Sequence, residues 1–78
     1  MARFYFDYQD AHWVLKDNVG EELPDPTIAR KEALMNAGQM LKDMASRDLE
    51  GSIVIEVRDD DGPVLRVCAT VEAASLRG

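Results

Sequence analysis

The 78-residue chain contains only one cysteine and one histidine, Cys68 and His12. A single cysteine cannot form an intramolecular disulfide, and these two side chains are too few to complete a zinc site within one chain. A nucleophilic serine or cysteine would have only His12 as a histidine base, and an outward cysteine on a strand is usually a packing residue. We therefore expect no disulfide scaffold, no metal or other cofactor and no enzyme activity.

Long apolar runs and basic residues are also scarce. The longest apolar runs cover a few residues, whereas a membrane-spanning helix needs roughly 20, and no segment has the pattern of a signal peptide. Fifteen acidic residues outnumber nine basic ones, for a net charge of -6 at pH 7. Because an acidic surface repels phosphate groups and anionic lipids, we expect a soluble cytoplasmic protein with no membrane partner and do not expect nucleic acid as the main partner.

The five glycines do not form a phosphate-binding motif. Neither GxxxxGK[ST] nor a GxGxxG that follows a strand is present. Two acidic segments, DNVGEELPD and RDDDGP, invite a calcium reading, but both lack the alternating ligands of an EF-hand loop. We interpret the first as the turn that leads into a helix and the second as a solvated hairpin turn.

The rest of the composition is that of a folded domain. Hydrophobic residues make up 46% of the chain and charged residues 31%, which is too apolar for a disordered segment. A chain of this length buries only roughly 60% of its unfolded surface, so its core is marginal. We predict one domain over residues 1–78 and expect it to self-associate, because burying more apolar surface would stabilise so small a core.

Two runs near the start of the chain alternate in the manner of strands. In RFYFDY, the side chains of Phe4, Phe6 and Tyr8 share one face and predict a half-buried strand. After a turn candidate at QDA, the run HWVLK places Trp13 and Leu15 on one face, with Trp13 closing the edge of the core. The two runs predict a β-hairpin.

Asp25 and Pro26 predict the start of a helix, because an aspartate N-cap followed by proline at the first helical position is a typical start pattern. The helical period continues to about Arg47. Its apolar stripe consists of Ala29, Ala33, Leu34, Ala37, Met40, Leu41, Met44 and Ala45. Ile28 and Met35 fall on the polar face, where an exposed apolar pair is a candidate contact for a partner.

The C-terminal part of the chain predicts a second hairpin. IVIEV and VLRVCATV alternate like strands on either side of a turn at Asp61 and Gly62. The order ββαββ predicts an α+β fold, in which one helix covers one face of a four-stranded, mainly antiparallel sheet. The other face would be bare. Its predicted residues are Arg3, Tyr5, Asp7, Val14, Val54, Glu56, Arg58, Arg66, Cys68 and Thr70.

The bare sheet face and the exposed helix positions supply a candidate partner surface. It comprises Tyr5, Ile28, Met35, Val54, Arg58 and Arg66. Our leading hypothesis is a small non-enzymatic protein-interaction or regulatory module that forms a homodimer or binds another protein. The alternative is a nucleic-acid-linked or antitoxin-like regulator that uses the open sheet face, since an aromatic residue among arginines is typical of sheet-based RNA platforms. Asp7, Glu56 and the overall acidity weaken that alternative.

Along nearly its whole length, the chain resembles a family of short bacterial proteins known only as a domain of unknown function. The matching landmarks are RFYFDY, the acidic segment DNVGEELPD, ARKEAL in the first helical turns, and IEVRDDDGPVL across the last hairpin. Ala11 stands where an early turn glycine is usual, and Cys68 interrupts a strand face that is more often basic. The resemblance implies a compact α+β domain in the bacterial cytoplasm and assigns no functional residue. In strand and helix order only, the chain is also similar to antitoxin-like domains.

Overall fold

A computed structural model describes residues 1–77, and Gly78, the last residue of the predicted domain, lies outside the described residues. In chain order the elements are β1 (Ala2–Gln9), β2 (Val14–Leu15), β3 (Glu21–Leu23), α1 (Pro26–Ser46), β4 (Gly51–Asp59) and β5 (Gly62–Val71). The predicted α+β fold, an antiparallel sheet with one helix packed on it, is confirmed. The sequence does not predict β3, because three residues are too few to show an alternating pattern.

The strands form one sheet in the order β2-β1-β4-β5, and β3 also pairs with β1. Every pair is antiparallel. β2 lies opposite Tyr8 and Gln9, whereas β3 lies opposite residues 2–4 at the other end of β1. The loop between them bonds to the middle of β1, where the Asp17 carboxylate accepts the Phe6 N–H at 3.1 Å. β2 and β3 are therefore two halves of one interrupted edge strand, and β5 is the opposite edge.

Helix α1 begins and ends close to the predicted positions. The Asp25 Oδ1 atom accepts the Ile28 N–H at 3.1 Å, and Pro26 occupies the first turn, so the predicted N-cap is confirmed. The helix stops after Ser46, where the Arg47 N–H turns back to the Met44 carbonyl at 3.1 Å. Among the described residues, no helix has the length and apolar character that are needed to cross a membrane.

The core lies between α1 and one face of the sheet. Its buried side chains are Phe4, Phe6, Leu23, Ala29, Ala33, Ala37, Ile53, Ile55 and Val57. Three alanines at the centre of the helical stripe let the helix approach β4 and β5 closely. Side chains of β5 on the same face, Leu65, Val67 and Ala69, are only half-buried. The core is thus well enclosed over β1 and β4 and thins toward β5.

Helix positions at the flanks differ from the prediction. Leu34 was expected in the core but is 44% exposed, and Ala45 is exposed as well. Ile28 was expected on the exposed face, yet it is half-buried against the core. The contact of the alanine stripe with the sheet is narrow, so Leu34 lies at its margin. The first helical turn follows directly from β3, which brings Ile28 against the sheet.

The early hairpin also differs from its prediction. Its turn spans residues 10–13, with the Asp10 carboxylate accepting the N–H groups of His12 and Trp13 at 2.7 and 3.0 Å, so β2 shrinks to Val14–Leu15. Trp13 is 42% exposed and Leu15 is 60% exposed, because β2 is a short edge that the helix does not cover. Trp13 therefore does not close the edge of the core as expected.

Candidate interaction surfaces

Four of the six candidate surface residues lie on the open face of the sheet. Strand register places Tyr5 beside Arg58, and it places Val54 and Arg66 on the same face of neighbouring strands. Ile28 and Met35 belong to the helix, on the other side of the sheet. Met35 is 60% exposed, as expected, whereas Ile28 packs against the core. The six residues therefore do not form one continuous surface.

The arginines of the open face are bound to carboxylates of the same face. Arg58 Nε donates to Asp7 Oδ2 at 2.8 Å, and the same guanidinium lies 4.5 Å from the centre of the Tyr5 ring. Arg66 donates to Glu56 at 3.0 Å. An RNA-stacking platform requires an open aromatic face and cations directed at phosphates. In this protein the Arg58 guanidinium covers the Tyr5 ring, and carboxylates neutralise the charges of Arg58 and Arg66. The charged side chains of the open face therefore bind one another.

Asp17 organises the loop between β2 and β3. Its Oδ1 atom accepts the N–H groups of Val19 and Gly20 at 2.9 Å each, while Oδ2 accepts the Phe6 N–H. Gly20 has a φ of 75°, and a Cβ there would lie 2.9 Å from Arg3 Cγ and from Tyr5 Cε1, so the loop requires glycine. Asp17, the first residue of the acidic segment, thus holds the loop between β2 and β3 against β1. The sequence analysis did not predict this role.

The carboxylates of Asp7 and Asp17 are held in their charged form. Partial burial alone would raise the pKa of Asp7, but hydrogen bonds from Arg58 and from the Asp17 N–H, with the charges of Arg58 and Lys16, hold it below its ordinary value of 3.8. Partial burial would likewise raise the pKa of Asp17, but its three backbone hydrogen bonds and the charge of Arg58 lower it. Both carboxylates therefore stabilise the fold when ionised.

The outer edge of β5 is the longest free strand edge in the part of the chain that the structure describes. The ten-residue strand Gly62–Val71 pairs with β4 on one side, and within residues 1–77 no strand pairs with its other side. It contains no acidic residue, and Arg66 is its one charged side chain. Unpaired N–H and C=O groups on such an edge are a template for another strand.

One flank of the helix lies above this edge. Asn36 Nδ2 donates to the Tyr8 hydroxyl at 2.9 Å, so that side of α1 faces β1. At about 100° per residue, Leu34 and Leu41 lie about 140–160° around the helix from Asn36 and therefore face β5. Leu34 is 44% exposed and Leu41 is half-buried. We call the outer edge of β5 together with Leu34 and Leu41 the β5 flank.

The sequence interpretation named pairing through the edge of the last strand as the next surface to test, but it did not include Leu34 and Leu41 in that surface. Leu34 and Leu41 were both expected in the core, and no local pattern states which strand ends the sheet. A usable signal is nevertheless present, because among residues 1–77 Gly62–Val71 is the one long strand without a carboxylate, although the chain has 15 acidic residues. An acidic protein that leaves one apolar strand free of negative charge has a surface on which close contact meets little repulsion.

Comparison with known proteins identifies a family for this chain. The sequence model of a family described as "Domain of unknown function (DUF6894)" matches residues 3–73. No curated protein and no solved structure matches the chain.

Proposed function

The chain belongs to the DUF6894 family of domains of unknown function, and we propose that it is a small non-enzymatic interaction module that dimerises through the β5 flank. The observation that carries the proposal is the free ten-residue edge of β5, which has no carboxylate. Helical spacing directs the exposed Leu34 toward the same side of the molecule. Pairing of this edge with a second copy would satisfy its backbone groups and extend the sheet across both subunits.

A two-fold axis suits this geometry. Antiparallel pairing of β5 with β5 of a second copy makes the interface isologous, with both helices on the same face of the joined sheet. Leu34 and Leu41 of each copy would then approach their counterparts above the new strand pair. The half-buried side chains of β5 on that face would become enclosed, which would complete the core where it thins.

Charge narrows the register of such a pair. Placing Arg66 directly opposite its own copy would oppose like charges, which is destabilising. Registers centred on Val67 or Cys68 avoid this clash and bring the Cβ atoms of the two copies of Cys68 to within about 5–8 Å of each other.

Because Cys68 is an exposed free thiol and the only cysteine, mild oxidation or a short bismaleimide reports this geometry directly. We expect a covalent dimer, and cross-linking that is no faster than for the urea-unfolded chain would contradict the register.

We propose that this module acts in a bacterial cytoplasm. The single unpaired cysteine and the resemblance to short bacterial proteins favour that compartment. Another protein with a free strand could occupy the same edge, and we commit to a second copy because the two-fold arrangement also brings the leucines of both helices together. The antitoxin-like or nucleic-acid-linked alternative would rely on the open sheet face, whose arginines already bind Asp7 and Glu56.

Two adjacent substitutions test the interface. Leu34→Glu adds a charge on the β5 flank, whereas Met35→Glu adds the same charge on the outer side of the helix, where Met35 is 60% exposed. In sedimentation equilibrium we expect a reversible dimer for the wild type, a dissociation constant at least about tenfold higher for Leu34→Glu, and little change for Met35→Glu. Circular dichroism of each variant shows whether the fold is retained.

Each alternative result has a definite meaning. Dissociation by Met35→Glu with no effect of Leu34→Glu would move the contact to the outer face of the helix and contradict the β5 flank. A wild type that stays monomeric at millimolar concentration would contradict self-association altogether. Binding of nucleic acid that weakens steeply with salt and is lost in Arg66→Glu would favour the open sheet face instead.

A further inference from the structure

A cleft of about 440 Å³ lies at the C-terminal end of the helix, away from the β5 flank. The turn between β1 and β2, the last turns of α1 and the connection to β4 form its walls. Its apolar lining consists of Trp13, Met40, Met44, Leu49 and Ile53. Such a volume is within the range of sites for small molecules, roughly 300–1,000 Å³.

The apolar side chains of this cleft are available to a ligand. Trp13 is 42% exposed and Leu49 is 47% exposed, while Ile53 is buried beneath them. Met40 and Met44 are half-buried and unbranched, so they can adjust to the shape of a bound group. An exposed indole ring beside two methionines provides a surface for an apolar body, and the ring face also attracts cations.

The polar rim of the cleft is predominantly negative. Asp10, Asp43 and Arg47 carry its charges. Arg47 Nε lies 3.8 Å from Asp43 Oδ2, so the positive charge of Arg47 is directed at the Asp43 carboxylate. Two carboxylates and an indole face therefore outweigh one guanidinium and favour a cation.

We propose that this cleft binds a small apolar cation, an aryl- or alkylammonium compound whose hydrocarbon body contacts Trp13 and the methionines. The ammonium group would lie at the rim near Asp43. This site is separate from the proposed dimer interface, because none of its lining residues belongs to β5 or to the leucine pair of the helix flank.

Three probes of the same size separate charge from apolar contact. Phenethylammonium, 2-phenylethanol and phenylacetate share the phenyl ring and differ in the charge of the head group. Trp13 is the only tryptophan, so its fluorescence reports the cleft selectively when excited where phenyl rings do not absorb. We expect the tightest saturable binding for phenethylammonium, weaker binding for the alcohol and the weakest for phenylacetate.

Matched variants test the role of the rim. Asp43→Asn removes one rim carboxylate, and Asp60→Asn removes an exposed carboxylate of the β4–β5 turn with the same change in net charge. We expect Asp43→Asn to weaken phenethylammonium binding about three- to tenfold and Asp60→Asn to leave it nearly unchanged. Equal effects of the two variants, equal affinity for the three probes, or no saturable response of Trp13 would overturn the proposal.

The test also distinguishes this proposal from the proposed function. The Leu34→Glu variant should bind phenethylammonium as the wild type does, whatever its oligomeric state. Loss of binding in that variant, while circular dichroism shows an intact fold, would show that the cleft depends on dimerisation and would overturn the independent site.

Discussion

Replacing Asp17 with alanine removes the acceptor that fastens the interrupted edge strand to β1. Three backbone N–H groups lose their partner, those of Phe6, Val19 and Gly20. Hydrogen bonds to a charged group contribute about 1.5–3 kcal/mol each, but the loop is partly exposed and water replaces some of them, so about 1 kcal/mol each is a better measure. We therefore expect a loss of about 3 kcal/mol, against roughly 4–12 kcal/mol for the unfolding free energy of a domain of this size.

Thermal unfolding followed by circular dichroism measures this loss. For a domain of fewer than 100 residues, about 3 kcal/mol corresponds to a fall of roughly 12–24 °C in Tm. Asp60→Ala is the matched control, because it removes an exposed carboxylate from another turn. If Asp17→Ala melts within about 2 °C of that control, the carboxylate does not stabilise the loop and our interpretation of the acidic segment is wrong.

Three further predictions concern the fold. Because the pKa values of Asp7 and Asp17 are lowered in the folded state, the stabilisation that these carboxylates give is complete above about pH 4 to 5 and is lost as pH falls through their folded-state pKa values. Asp17→Asn should therefore flatten the acid limb of a curve of unfolding free energy against pH. An unchanged acid limb would refute this. Asp25→Ala removes the N-cap bond and should cost about 0.5–2 kcal/mol in urea unfolding, and a neutral result would show that Pro26 alone sets the helix start. Ile55 is fully buried, so Ile55→Ala should cost about 2–5 kcal/mol, whereas retained wild-type stability would contradict the core assignment.

Local patterns predicted helix α1 and the two strands of the C-terminal hairpin, β4 and β5, well. An N-cap followed by proline is a short-range signal, and Asp25 and Pro26 act within one turn. Alternation in β4 likewise depends on neighbouring residues, so Val54 and Glu56 lie on the open face as expected. Signals that act within a few residues can be read without knowing the rest of the fold.

Features that depend on distant residues were missed. β3 is a strand because it pairs with residues 2–4, and the loop before it is closed by a hydrogen bond between Asp17 and Phe6. Helical periodicity gave the direction of Leu34 but not the width of the contact with the sheet, which three alanines keep narrow. The candidate surface also combined residues of the open sheet face with helix residues, which lie on the other side of the sheet.

Dimerisation through the β5 edge is tested most directly by amide hydrogen exchange in β5, measured over a range of protein concentrations. Pairing of two β5 edges protects the N–H groups that point away from β4. We expect their exchange to slow as the concentration rises through the dissociation constant of the dimer, while exchange in Val14–Leu15 at the opposite edge stays constant. Exchange in β5 that is equally fast at every concentration would contradict dimerisation through this edge.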